Sequence, residues 1–145
     1  MNEPIRFRLT KIITEQFAVL KDMYRSEVPF NVRTELSFGT QVENKVVVVS
    51  TLFRFESDDK QTPFILLEMR LFFNIEAESW NKLYDPDKNT LALEKGFARH
   101  LSVIAVGTAR GVLHSKTEDT DLNHIALPLI NIEEVLQEDV IINLV

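Results

Sequence analysis

The feature that most constrains the fold is the alternation of apolar side chains over residues 64–78, FILLEMRLFFNIEAE. Every odd-numbered position from Ile65 to Ala77 is apolar, whereas the even-numbered positions include Glu68 and Arg70. Successive side chains of a β-strand point to opposite faces, so a period of two residues gives the strand one apolar face. Residues 64–78 are therefore predicted to form a long strand that covers a hydrophobic core.

A first strand is predicted over residues 5–20. Ile5, Phe7 and Leu9 alternate with polar residues, which is the period of a half-buried strand. The alternation becomes irregular further along the segment. A bulge near Thr14–Gln16 would explain this loss of phase, because a bulge inserts one extra residue into a strand.

Two more strands are predicted between these. Residues 32–43 alternate, whereas residues 46–56 are β-branched and aromatic on both faces, as in a central strand. Asn44–Lys45 is expected to form a tight turn, and residues 57–63 form a polar loop. Three hairpin-like connections in a row predict a four-stranded antiparallel meander sheet.

A long helix is predicted over residues 91–114, where apolar side chains recur at helical spacing. Asn89 or Thr90 is the expected N-cap. The run of small residues in this helix stops at Arg110–Gly111. The intervening residues 79–90 are predicted to be a loop.

A shorter C-terminal helix is predicted to start near Asn131. Asn131 can cap this helix, and Glu134 stands three residues later, where a capping box places an acid. Four strands followed by a long and a short helix define an α+β fold. The length of 145 residues suits a single domain, residues 1–145.

Composition excludes several classes of function. The formal net charge of −6 argues against nucleic acid and anionic membranes, which attract basic proteins. The apolar runs are too short to span a bilayer, and the N-terminal residues lack the apolar core of a signal peptide. The chain contains no Cys, which fits a reducing compartment. A cytoplasmic protein without membrane insertion is therefore expected.

The sequence contains no pattern that is typical of an enzyme. Its serines lie in no nucleophile elbow, and its four glycines form no phosphate-binding loop. His100, His114 and His124 lack the spacing of metal ligands. We therefore expect no enzyme, no metal and no cofactor. Catalysis by residues that only the fold brings together stays open.

Two connections carry more large apolar residues than loops usually need, residues 20–30 (the first connection) and 122–130 (the second connection). If they lie close together, they line an exposed apolar groove, and such patches mark interaction sites. The alternative is that they fold over the ends of the core.

One stretch of the sequence, TARGVL…HIALPLINIEEVL, resembles the SecB family of export chaperones. The long helix of that family ends in a Ser/Ala-Arg-Gly step, here Ala109–Arg110–Gly111. A Leu-x-Pro-x-(Ile/Val)-Asn element follows, here from Leu127 to Asn131. PFILLEMRLFFNI is similar to the fourth strand of the family, and IRFRLTKIITEQFAVL is similar to the first.

The resemblance implies a four-stranded sheet that packs on a long helix. It also implies a dimer with a continuous eight-stranded sheet, and a homotetramer in which two dimers meet through their long helices. The small residues expected at that helix interface are Ala105, Gly107, Ala109 and Gly111. The implied function is ATP-independent holding of unfolded or precursor polypeptides, possible clients of protein translocation.

In the family a groove between the two connections binds the client. The corresponding residues are Phe17, Leu20, Met23, Tyr24, Val28 and Phe30 on one side, and Val112, Leu113, Leu122, Ile125 and Leu127 on the other. Methionine and aromatic side chains suit varied partners because they repack easily.

Members that deliver clients to the SecA motor use acids and a leucine on the sheet face, which Glu15, Leu66 and Glu68 match by position. Val19 stands where a further acid is expected, and the final residues EDVIINLV match no flexible tail. Both departures argue against delivery to SecA. Members that control toxin–antitoxin pairs offer a second partner class.

Two other readings of the sequence are open. A small-ligand-binding or thioesterase-like α+β domain also wraps a sheet around a long helix, but it usually places that helix early in the meander. The second alternative is a structural oligomerisation module that binds no client.

Overall fold

The computed structural model describes residues 4–59 and 62–144. Within them the chain forms seven β-strands and three α-helices. In chain order these are β1 (Phe7–Val19), β2 (Phe30–Gln41), β3 (Val46–Ser57), β4 (Pro63–Ile75), α1 (Ala77–Leu83), β5 (Tyr84–Asp85), β6 (Thr90–Leu93), α2 (Lys95–Thr117), α3 (Ile132–Val135) and β7 (Val140–Asn143). The predicted α+β class is confirmed.

The first four strands form one antiparallel sheet in the order β1-β4-β3-β2. The four-stranded antiparallel sheet is confirmed, but the simple meander is wrong because β1 lies beside β4. The two central strands are those with apolar side chains on both faces; Val47 and Val48 of β3 are 0% and 8% exposed. Strands β1 and β2 form the edges, where polar side chains meet water.

Local irregularities occur where the pattern of the sequence breaks. The pairing of β1 with β4 shifts between Thr14 and Gln16, so the predicted bulge is confirmed. A second shift between Leu9 and Lys11 was not predicted. In the turn before β3 it is Lys45, not Asn44, that takes a positive φ of 54°.

Helix α2 packs on the inner face of the sheet, mainly over β3 and β4. It begins at Lys95 rather than residue 91, because residues 90–93 form strand β6 of a small sheet with β5 and β7. It ends at Thr117, three residues after the predicted end at residue 114, and it continues through the Ala109–Arg110–Gly111 step at which the resemblance implied an end. No helix in the described part of the chain is both long and apolar enough to cross a membrane.

The prediction for residues 79–90 is wrong, whereas the predicted cap of the C-terminal helix is confirmed. Residues 79–90, predicted as a loop, contain most of α1, and Trp80 on that helix is buried in the core. The cap of α3 is confirmed, since the Asn131 side chain accepts a hydrogen bond from the Glu133 N–H at 3.1 Å.

Candidate polypeptide-binding surface

The first connection covers the end of the sheet where β3 and β4 meet. Its backbone is tied there at two points: the Leu20 N–H donates to the Phe64 carbonyl at 2.8 Å, and the Asp58 N–H donates to the Pro29 carbonyl at 3.0 Å. Between them, Lys21–Met23 form one turn of 3₁₀ helix. The connection is therefore fixed to the sheet at both ends.

Aromatic rings support this connection from below. The Tyr24 ring lies 5.0 Å from that of Phe64, and Phe30 lies 5.7 Å from Phe64 and 6.1 Å from Phe55, between ring centroids. Phe55 and Phe64 are fully buried, whereas Phe30 is 40% exposed. Ring pairs at such distances attract each other beyond the burial of area. The cluster therefore holds the exposed Phe30 ring on a rigid base.

Apolar side chains around this cluster remain accessible. Leu20 is 48% exposed. Phe17, Met23, Tyr24 and Val28 are half-buried. Charged groups border them: Arg25 pairs with Asp59 at 3.2 Å, and the Lys116 ammonium lies 6.0 Å from the Phe17 ring centre. One side of the predicted groove thus forms an apolar surface with a charged rim.

The two connections touch each other through one polar contact. The Tyr24 hydroxyl and His124 Nε2 lie 3.0 Å apart in a hydrogen bond, although 100 residues separate them in the chain. His124 therefore pairs with Tyr24, while His114 lies 3.6 Å from Glu118. Among the residues that the structure describes, no three histidines or acids gather as a metal site.

The other side of the predicted groove is inside the core. Leu122 is 4% exposed, and Ile125 and Leu127 are each 3% exposed. Leu113 is 1% exposed, and only Val112 is half-buried. The sequence prediction that these side chains line an accessible groove is therefore wrong for four residues: Leu113, Leu122, Ile125 and Leu127. The physical reason is that burying each such side chain contributes about 1.5–3 kcal/mol, and α2 offers them an apolar surface.

Arg110, which the resemblance placed in the last step of the long helix, holds the second connection in place. Arg110 Nε donates to the Leu127 carbonyl at 3.1 Å, and its Nη2 donates to the Pro128 carbonyl at 3.1 Å. Eleven residues earlier on the same face of α2, Arg99 donates to the carbonyls of Leu136 and Glu133 at 2.8 and 3.4 Å. The spacing of these two arginines, three helical turns, was the sequence signal for this role.

The small residues of α2 divide between opposite faces of the helix. Ala105 and Ala109 are fully buried with the core, so the structure contradicts their placement at a helix–helix interface. Their four-residue spacing continues the stripe of Leu101 and Leu113. Gly107 and Gly111 are exposed, and a Cβ atom added at either would meet nothing within 4 Å.

The residues assigned to a motor partner lie on the outer face of the sheet, away from α2. Leu66 and Glu68 are half-buried there and pair across the strands with Ala18 and Gln16. The Glu15 carboxylate accepts a hydrogen bond from Arg70 Nε at 2.6 Å. Glu15 is therefore already engaged within the subunit.

No protein-family model matches the chain, and no curated protein matches it. Among solved structures, a SecB-like chaperone of Mycobacterium tuberculosis in complex with a peptide from an antitoxin aligns with 88% of this chain and 90% of its own, at 14% identity and a TM-score of 0.48. A protein of unknown function from Streptococcus agalactiae aligns with 89% of this chain and 100% of its own, at 13% identity and a TM-score of 0.45. These values give no ground for transferring what either protein binds.

Proposed function

We propose that this protein is an ATP-independent chaperone that holds non-native polypeptides on the apolar surface of the first connection. The observation that carries the proposal is the exposure of Leu20 and Phe30, at 48% and 40%, above a fully buried aromatic base. Large apolar residues left exposed on a single connection that is fixed to the sheet mark an interaction site more reliably than apolar residues scattered over the surface.

The physical chemistry of this surface suits an unfolded client. Such a chain exposes side chains that a folded protein buries, and a surface that binds them favours the unfolded state by mass action. Met23 can adapt to different side chains because its thioether chain is unbranched and polarizable. No bond is made or broken, so the proposed activity requires no catalytic residue.

We extend the proposal to a dimer of dimers. Strand β1 is an edge strand of 13 residues, and its inner face carries Leu9 and Ile12, which are 39% and 48% exposed. An edge strand of that length presents unpaired backbone groups, which favours pairing with another strand, here β1 of a second copy. On α2, Val103 is 56% exposed on the face of Gly107 and Gly111, which would meet a second dimer.

Unfolded or precursor polypeptides are the partners that the surface favours. For a protein partner on the outer sheet face, such as SecA, Leu66 and Glu68 supply a half-buried contact, while Glu15 would first have to leave Arg70. Control of a toxin–antitoxin pair would use the client surface itself.

The test is suppression of aggregation of reduced insulin, followed by light scattering without ATP. Wild type is expected to delay aggregation. Leu20→Ser and Phe30→Ser are each expected to raise the concentration required for that delay about three- to tenfold, since each loses roughly half of a 1.5–3 kcal/mol burial. Val42→Ser is the matched control, because Val42 is 45% exposed at the other end of β2.

Val42 and Phe30 are separated by about 40 Å along the strand. If all three variants retain the wild-type delay, or if all three lose it equally, the first connection is not the client surface. If wild type gives no delay at all, the chaperone proposal is wrong.

A further inference from the structure

The second connection is buried without being part of any helix or strand. Residues 125–131 have no regular secondary structure, yet Leu122, Ile125 and Leu127 are only 3–4% exposed. The neighbouring side chains point outward, with Leu129 94% exposed. The segment therefore inserts three apolar side chains into the subunit as an extended ligand would.

Few backbone contacts of the second connection involve other strands or helices. Arg110 holds the carbonyls of Leu127 and Pro128. At the other end, Asn123 donates to the His114 carbonyl and to the Thr117 hydroxyl, each at 3.1 Å. Within the segment, the Ile125 N–H donates to the Leu122 carbonyl at 3.0 Å. Side-chain insertion and the side chains of Arg110 and Asn123 thus account for most of its attachment.

The two contacts to Arg110 do not depend on sequence. Every residue of every polypeptide has a backbone carbonyl, and a guanidinium presents its donors in a fixed fork that can bind two acceptors at once. Apolar side chains spaced along an extended chain are likewise common in unfolded proteins. The Arg110 contacts and the apolar insertion would therefore also hold a segment of another polypeptide, whereas the side-chain hydrogen bonds of Asn123 and His124 are specific to the second connection.

We propose that the second connection occupies, in cis, part of the site that binds clients, and that a client of extended, apolar character displaces it. This inference rests on the proposed function and specifies how the site is regulated. The site that the second connection leaves would be lined by Val112 and Leu113 of α2, and the Arg110 guanidinium would be free to bind client carbonyls. It would be continuous with the first connection, because Tyr24 contacts His124 of the displaced segment.

Displacement of the second connection reverses the sign of one mutational effect on client binding. If Ile125 were a wall of the groove, its truncation would weaken client binding. If Ile125 instead anchors a competing segment, truncation weakens the competitor and strengthens client binding.

The test uses a fluorescent peptide, TDLNHIALPLIN, which has the sequence of residues 120–131. Its binding to wild-type protein and to Ile125→Ala is measured by anisotropy. We expect peptide binding to Ile125→Ala to be tighter by about thirtyfold or more, because truncating a buried isoleucine raises the population of the state in which the second connection is displaced. The same peptide with serine in place of its Leu122, Ile125 and Leu127 equivalents is expected not to bind.

Ile132→Ala is the matched protein control. Ile132 is 7% exposed on α3, outside the second connection, so its truncation also removes buried apolar area without releasing that segment. Peptide affinity of this variant is expected within about twofold of wild type. Ile125→Val serves as a milder variant if Ile125→Ala does not fold, as judged by circular dichroism, and its affinity should rise in the same direction.

A second measurement uses reduced, carboxymethylated α-lactalbumin as an unfolded client that competes with the peptide. Weaker or unchanged peptide binding by Ile125→Ala overturns the inference, as does equal strengthening by Ile132→Ala. If wild type binds the client but Ile125→Ala binds the peptide no more tightly than wild type, the chaperone function stands and the displacement is wrong. If the peptide binds Ile125→Ala as expected while no variant binds the client, displacement stands and the proposed function is wrong.

Discussion

Replacing Arg110 with methionine tests how the second connection is held. Methionine keeps most of the apolar stem of arginine but removes the guanidinium, so the carbonyls of Leu127 and Pro128 lose their donors. A hydrogen bond from a charged donor contributes about 1.5–3 kcal/mol, and we assign the lower part of the general range, about 0.5–1 kcal/mol, to the exposed contact with Pro128. The expected loss of unfolding free energy is therefore about 2–4 kcal/mol.

Urea denaturation at fixed protein concentration measures this loss. With a slope of about 2 kcal/mol per molar urea, the midpoint should fall by about 1–2 M. Arg99→Met is the matched control, because Arg99 makes the same two kinds of contact to Leu136 and Glu133. Its global effect should be similar.

Hydrogen exchange followed by mass spectrometry separates the two variants. Arg110→Met should lose protection in residues 122–130, whereas Arg99→Met should lose it in residues 132–137, since exchange reports local opening. A midpoint shift for Arg110→Met equivalent to less than about 0.5 kcal/mol would refute the assignment of these contacts, and so would unchanged exchange in residues 122–130.

Two further predictions concern the proposed interfaces between subunits. Ala105→Leu should destabilise the subunit by about 1–3 kcal/mol in urea denaturation because Ala105 is fully buried. Measured at a protein concentration low enough to separate the dimers, Gly107→Ala should be neutral or stabilise the subunit by up to about 1 kcal/mol, because its Cβ would meet no atom of its own subunit within 4 Å. Equal effects of the two substitutions would contradict the assignment of the two helix faces. Ile12→Lys places a charge on the exposed edge strand β1 and should lower the mass measured by sedimentation velocity to that of a smaller species. The control Val42→Lys should leave the mass unchanged. An unaltered mass for Ile12→Lys would exclude β1 as the pairing edge.

The strands could be predicted from the sequence because their signal is local. The alternation around Ile65 and Leu67 fixes which side chains share a face, and the loss of phase at Thr14–Gln16 marks the bulge. The neighbour of β1 could not be read in the same way, because pairing joins residues about 60 positions apart. One indirect signal was present: β4 carries apolar side chains on its second face as well, at Phe64, Leu66 and Phe72. A strand that is apolar on both faces favours a central position, whereas a simple meander would leave β4 at the edge.

The candidate site was harder to predict than the fold because core and groove share one hydrophobic signal. Leu20 and Leu122 look alike in the sequence, yet the first is 48% exposed and the second 4%. The difference arises from attachment: the first connection is pinned by its backbone to the rim of the sheet at Phe64, whereas the second lies along α2 within reach of Arg110. Neither contact is local in the chain, so composition alone could not assign the two sides.

The division of the small residues of α2 was available from helix geometry. At about 100° per residue, Ala105 and Ala109 lie within roughly 40° of each other, whereas Gly107 lies roughly 200° from Ala105. One helix face cannot present all four residues to a partner. Because the core covers the face of Ala105, a second copy that packs on α2 must meet Gly107, Gly111 and the exposed Val103. Association through α2 and burial of the sheet therefore use opposite faces of the helix and do not compete.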